Sequence, residues 1–217
     1  MKALILKELK LSIHPTVYIF LILAAMLLIP AYPYYVAFFY MCLAIFFIFL
    51  SSREDKDILF TASLPVTKRE IVKARFCTIV MIELVYILLT IPFAVIGVLI
   101  NPNPQGNTTG IEANVAFYGF VLMMFSVFHI VFLPMFYKTA YKVGKPFIIS
   151  CIAMLIYVFC IELFVVPSAQ LNSFIDSTLP ENLIKQIPVL IIGIGVYIIC
   201  IIIAYQKSAK NFDKVDL

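Results

Sequence analysis

The chain has 217 residues, 64% hydrophobic and 13% charged, with a formal net charge of +4 and a mean hydropathy of +1.07. Soluble domains carry about 45–50% apolar and about 25% charged residues, so a soluble globular fold is excluded and an all-α integral membrane protein is implied, its apolar runs approaching the ~20 residues that cross a hydrocarbon layer as a helix. The positive balance sits in the segments between apolar runs, a membrane-topology pattern, which speaks against nucleic acid as a partner.

Residues 1–14, MKALILKELKLSIH, are too charged to span and too apolar to be a free tail. They predict a helix lying in the membrane interface with its lysines reaching to the lipid headgroups. Lys2–Lys10 and Val17–Ile29 imitate the two parts of a signal peptide, but no small-residue cleavage site follows, so the segment is expected to stay with the mature protein.

Six membrane spans are predicted, over 15–29, 34–50, 77–100, 114–135, 147–166 and 188–205. The first is short and turns into the second at Pro30-Ala31-Tyr32-Pro33. Pro92 predicts a kink in the third. Fifteen of the sixteen Lys and Arg residues fall on one side of this arrangement: three in 1–14, six in 51–76, three in 136–146 and three after Tyr205. Lys185 alone is opposite. By the positive-inside rule both chain ends are then cytoplasmic, and the first two spans form a true hairpin. The other side carries the turn-rich loop 101–113, with a sequon at Asn107-Thr108-Thr109, and the segment 167–187. There Leu171, Phe174, Ile175, Leu179 and Leu183 predict a short interfacial helix.

Ionisable groups inside spans are expensive and therefore candidates for function. Glu83, His129 and Glu162 are such groups. Glu83 and Glu162 are candidates for lining a translocation path that meets cationic groups of a substrate, and Glu83→Gln is expected to impair transport. The alternatives are that Glu83 pairs within the protein, that Glu162 reaches the outer interface, and that His129 is a helix–helix contact. Cys42, Cys77, Cys151, Cys160 and Cys200 all lie in apolar runs without a CxxC pair, and read as small buried hydrophobes rather than disulfides or metal ligands. Two isolated histidines do not make a zinc site. Ser126 and His129 share a helix without a nucleophile elbow or a third partner. No enzyme and no metal site is expected.

The polar stretch 51–76, SSREDKDILFTASLPVTKREIVKARF, organises the chain. A short helix over 55–63 places Ile58, Leu59 and Ala62 on one stripe. Ser63-Leu64-Pro65-Val66 breaks it, and Thr67 with Glu70 predicts a capping box opening a helix that runs into the third span. Such an element, pinned at one bilayer face, is expected to dock a soluble partner.

This layout resembles the short permease subunits of type-two ABC exporters, in which the pattern standing here as Leu64-Pro65-Val66-Thr67-Lys68-Arg69-Glu70 recurs between spans two and three. The resemblance implies a subunit of the bacterial cell membrane, paired with an identical or different second permease. It further implies coupling through Ile58, Leu59, Leu64, Pro65, Lys68, Arg69 and Glu70 to two copies of a cytoplasmic ATPase. The members closest in size include exporters of amphipathic modulin-like peptide toxins and of antimicrobial peptides. The chain has no phosphate-binding loop, so ATP and Mg2+ are expected on the ATPase chain. The competing expectation is a stand-alone channel, secondary carrier or immunity-type membrane protein.

Overall fold

The computed structural model describes residues 2–100, 107, 109–165 and 175–216. Eight α-helices are described: α1 Lys2–Lys7, α2 Thr16–Ile22, α3 Tyr35–Glu54, α4 Asp57–Ala62, α5 Lys68–Ile100, α6 Val115–Phe136, α7 Gly144–Val165 and α8 Pro180–Asp213. A π-helical turn, Glu8–Ser12, prolongs α1, and a 3-10 stretch, Leu23–Leu28, prolongs α2. Five helices are long and apolar enough to cross a membrane, and the bent pair Lys2–Ser12 and Thr16–Leu28 brings the number to as many as six.

That pair bends by 83°, so the first segment lies across the axis of the second. Thr16–Leu28 would cover roughly 22 Å as built, less than the ~30 Å hydrocarbon layer, and its change to 3-10 geometry lengthens the rise per residue. His14 stacks on Phe47 at 6.2 Å. At the other end the carbonyl oxygen of Leu27 lies 2.7 Å from where a side chain on Gly97 would begin, so only glycine admits this approach.

α6 is the central helix. Phe117, Val121, Phe125, Phe128, Phe132 and Phe136 recur at three- and four-residue spacing and are all buried. They meet α3 edge-on, with Phe38 to Phe117 at 5.5 Å and Phe49 to Phe136 at 4.6 Å between ring centres. The opposite side of α6 is pressed against α8, where a side chain on Gly193 would begin 2.4 Å from the Gly119 carbonyl oxygen. Lipid is as apolar as a core, so helices in a membrane are held by such close packing rather than by exclusion of water. α7 and α8 keep broad apolar faces exposed, among them Phe159, Phe164, Ile184 and Ile191. Cys160 is exposed on α7, in contrast to the buried position expected from its apolar run.

The connections gather at two ends. At one, the 2–12 segment, the α3–α4 turn, the α6–α7 turn and the end of α8 meet. They are joined by Lys7 to Asp57, by Arg53 over the Tyr141 ring and by Arg69 to Asp213. At the other, Asn107 Nδ2 donates to Tyr32 O at 3.2 Å and Asn114 Nδ2 to Ile175 O at 2.6 Å. The basic segments thus share one end of the molecule. Leu171 and Phe174 of the expected outer interfacial helix, and Thr108 of the sequon, lie outside the described residues. Leu183 belongs to α8, which continues through Pro188 without a break.

Candidate functional site

Beneath the α3–α4 turn lies a buried cluster of charges. Arg75, two turns from the start of α5 and 2% exposed, places Nε 2.6 Å from Glu8 Oε2 and Nη2 2.6 Å from Asp57 Oδ2. Nη2 also donates to Ser52 Oγ at 3.2 Å, and the guanidinium sits over the Phe49 ring. Lys7 pairs with the other Asp57 oxygen and donates to Thr61 Oγ1 at 2.8 Å and to Glu8 Oε1 at 3.1 Å. Two bases and two acids therefore cancel inside the protein, and together they tie the 2–12 segment, α3, α4 and α5 to one another. Burial pulls the Asp57 carboxyl upward, but Arg75 and Lys7 outweigh it and hold it below its usual range.

This cluster corrects the expectation that all the lysines of residues 1–14 reach the headgroups, since Lys2 and Lys10 are exposed but Lys7 is not. The buried face of that segment is Leu4, Glu8 and Ser12, while Leu6 and Leu11 are exposed. Lys7 points into the protein instead of to the headgroups. Its sequence trace was the lone acid Glu8, spaced four residues from both Leu4 and Ser12, together with the depth of Arg75 in its helix.

On this base stands α4. Lys56 enters it with φ 53°, a left-handed conformation that turns the chain sharply out of α3. Ile58 and Thr61 are buried, whereas Leu59 is 47% and Phe60 59% exposed. The sequence stripe joined Ile58 to Leu59. Adjacent helical residues differ by about 100° in direction, so the structure separates them: Ile58 anchors α4 and Leu59 is presented with Phe60 and, after the turn, Leu64. Pro65 is exposed beside them. The capping box is formed: Thr67 N–H donates to Glu70 Oε2 at 2.9 Å and Glu70 N–H to Thr67 Oγ1 at 3.3 Å. Lys68 and Arg69 face the end of α8, where Lys68 Nζ donates to Val215 O at 2.6 Å and Arg69 Nε pairs with Asp213 at 3.0 Å.

A crevice of about 490 Å³ opens beside α4, walled by Arg53, Lys56, Leu59, Ala140, Tyr141 and Val215. Lys56 and Ala140, at φ 53° and 52°, are the two non-glycine residues with left-handed backbone among the described residues, and both lie on its wall.

Deeper in the helices, Glu83 and His129 come together. His129 Nε2 is 2.9 Å from Glu83 Oε1, and Tyr197 donates its hydroxyl proton to Glu83 Oε2 at 2.6 Å. Glu83 and His129 are fully buried, and the three residues cross-link α5, α6 and α8. Tyr197 had no sequence signature, since tyrosines are ordinary in spans. Glu162 stands apart, its carboxylate 2.9 Å from where a Gly110 side chain would begin. Ser126 Oγ donates to Leu122 O at 2.8 Å. A separate groove of about 480 Å³ lies between α5, α6 and α8, lined by Ile87, Ile91, Val95, Val98, Tyr118 and Leu190 among others.

Around Asn114, Glu112 accepts the Asn107 N–H and its own N–H donates to Asp176 Oδ1 at 2.6 Å. Burial pushes the carboxyls of Glu112 and Asp176 up.

A family model described as an ABC-2 family transporter protein matches residues 3–213. No curated protein and no solved structure matches the chain.

Proposed function

The chain belongs to the ABC-2 transporter family, and on that footing we propose that it is the permease subunit of an ATP-driven exporter whose nucleotide sites reside on two copies of a cytoplasmic ATPase. The observation that carries this reading is α4 itself. It exposes Leu59 and Phe60 at the basic end of the molecule while its inner side is bound to the Lys7–Glu8–Asp57–Arg75 cluster. Apolar side chains exposed outside the spans mark a contact surface, and a contact surface that transmits force must be stiff. Breaking one partner out of a buried ion cluster costs about 3–5 kcal/mol, so displacement of α4 is passed to the 2–12 segment, α3 and α5 instead of being absorbed locally.

In this mechanism, closure of the ATPases on ATP and Mg2+ pushes on Leu59, Phe60, Leu64 and Pro65. Ile58 and Asp57 carry the push inward. The capping box of Thr67 and Glu70 keeps the start of α5 wound, with Lys68 and Arg69 beside it as further points of contact for the ATPase. A second permease, identical or different, completes the path, and the exposed apolar faces of α7 and α8 offer surface for it. The aliphatic groove between α5, α6 and α8 supports an apolar or amphipathic cargo. Amphipathic peptides are the member of that class suggested by the resemblance to permeases of similar size.

Purification of the chain from its native membrane in mild detergent, followed by mass spectrometry, tests the reading. An ATPase bearing a phosphate loop is expected to accompany the wild type in stoichiometric amount and to be lost on Leu64→Asp. A chain that emerges alone, and stays alone after cross-linking, points to a channel or carrier.

A further inference from the structure

Lys68 and Arg69 are the basic pair of the exposed coupling motif, yet both are occupied. Lys68 Nζ holds the carbonyl of Val215, Arg69 holds the carboxylate of Asp213, and Lys68 also lies 5.9 Å over the Phe212 ring. The occupying segment has two parts of different character. Phe212 is fully buried against Tyr137, and Asn211 Nδ2 donates to Pro134 O at 2.8 Å, so α8 is fixed to the end of α6 up to that point. Beyond it, Asp213, Lys214 and Asp216 are exposed, and Val215 with Asp216 walls the crevice beside α4. The Arg69–Asp213 pair is itself open to solvent, its side chains 69% and 37% exposed. Exposed pairs of this kind are weak and salt-sensitive.

We infer that Lys68 and Arg69 form a recognition site for an acidic segment of the partner ATPase, and that residues 213–216 fill this site in cis until the partner displaces them. The chemistry of the occupant states what the site takes: a carboxylate on Arg69 and a carbonyl or second carboxylate on Lys68. A carboxylate on the partner meets the same guanidinium with the same geometry, so one ligand exchanges for another without leaving either base unpaired. Release of 213–216 also opens one wall of the crevice beside Leu59, which couples partner binding to access at α4. The weakness of the exposed pair is what makes the exchange reversible. The inference rests on the permease reading only in naming the ATPase as the competitor.

Acylation of lysines by an N-hydroxysuccinimide ester, read by mass spectrometry on the purified full chain, reports occupancy of the site without any partner. Compared with the wild type, a chain ending at Phe212 is expected to acylate at Lys68 at least five-fold faster. The full-length variant Asp213→Lys, which leaves Phe212 in place, should move Lys68 in the same direction. Lys207, exposed on α8, should react equally in all three. Unchanged Lys68 reactivity in both variants overturns the cis contact. In the native-membrane purification the chain ending at Phe212 should retain more ATPase than the full chain at low ionic strength, where the cis pair is strongest. Faster Lys68 acylation with equal retention overturns the competition. Absence of ATPase from both preparations refutes the permease reading, and with it the identity of the competitor, while the acylation result still decides the cis contact.

Discussion

The Glu83–His129–Tyr197 group shows how much one buried carboxylate settles. Inside a span a carboxyl without partners is expensive, and here it accepts from Tyr197 and meets His129 across three helices. A glutamine at 83 can still accept the Tyr197 proton through its carbonyl and donate to a histidine nitrogen through its amide. Glu83→Gln is therefore expected to fold and melt close to the wild type. Glu83→Leu strands both partners and should lose stability by about 1–3 kcal/mol for each, read from the melting temperature in detergent at constant lipid. Equal melting of all three proteins would show that the group holds nothing together. A normal yield of Glu83→Gln with impaired export would return the residue to the translocation path.

The two ends of the bundle respond to pH in opposite senses. Asp57 has a folded pKa held below its usual range. Its contribution is full above the ordinary aspartate value of about 4 and disappears as pH falls through the lower folded value. Glu112 and Asp176 have folded values raised by burial, so their contribution is full below the ordinary carboxylate range and is lost as pH rises through the raised values. Hydrogen exchange, corrected for intrinsic rate, should show the segment around Glu112 and Asp176 gaining protection as pH is lowered from neutral toward the ordinary carboxylate range. Residues 2–12 and α4 should stay unchanged over that interval. A loss of protection at α4 within it would mean that Asp57 is not held by its two bases.

For the whole molecule, the decisive arrangement is that the 2–12 segment and the end of α8 meet the α3–α5 connection at one end. If that end is cytoplasmic, single cysteines replacing Lys2 and Lys214 should react with a membrane-impermeant maleimide only after permeabilisation, whereas Lys185→Cys should react in intact cells. Labelling of Lys2→Cys together with Lys185→Cys would mean that Thr16–Leu28 does not cross. That segment is the one whose length alone leaves the crossing open, because it is short and changes from α to 3-10 geometry along its course.

Most of the helices, the partition of basic residues between loops and the capping box of Thr67 and Glu70 were legible in the residues. Each depends on local quantities: run length against bilayer thickness, charge against the interface, and a hydroxyl three positions before a carboxylate. The direction in which each helix faces was not legible. In water an apolar stripe points to the core, but in lipid both the core and the surroundings are apolar, so the stripe carries no such information. That is why Cys160 was expected inside, and why Tyr197, 114 residues from Glu83, went unnoticed as its partner. Ile58 and Leu59, outside the spans, were joined instead because adjacency hides the roughly 100° between them on a helix. Lys7 was assigned to the headgroups because its partner Asp57 lies far along the chain. Composition and the placement of charge by themselves determined a helical membrane protein with one long basic connection between spans. Only tertiary packing decided which of its charges are locked beneath that connection and which are already engaged by the end of α8, because those pairings join segments far apart in the chain.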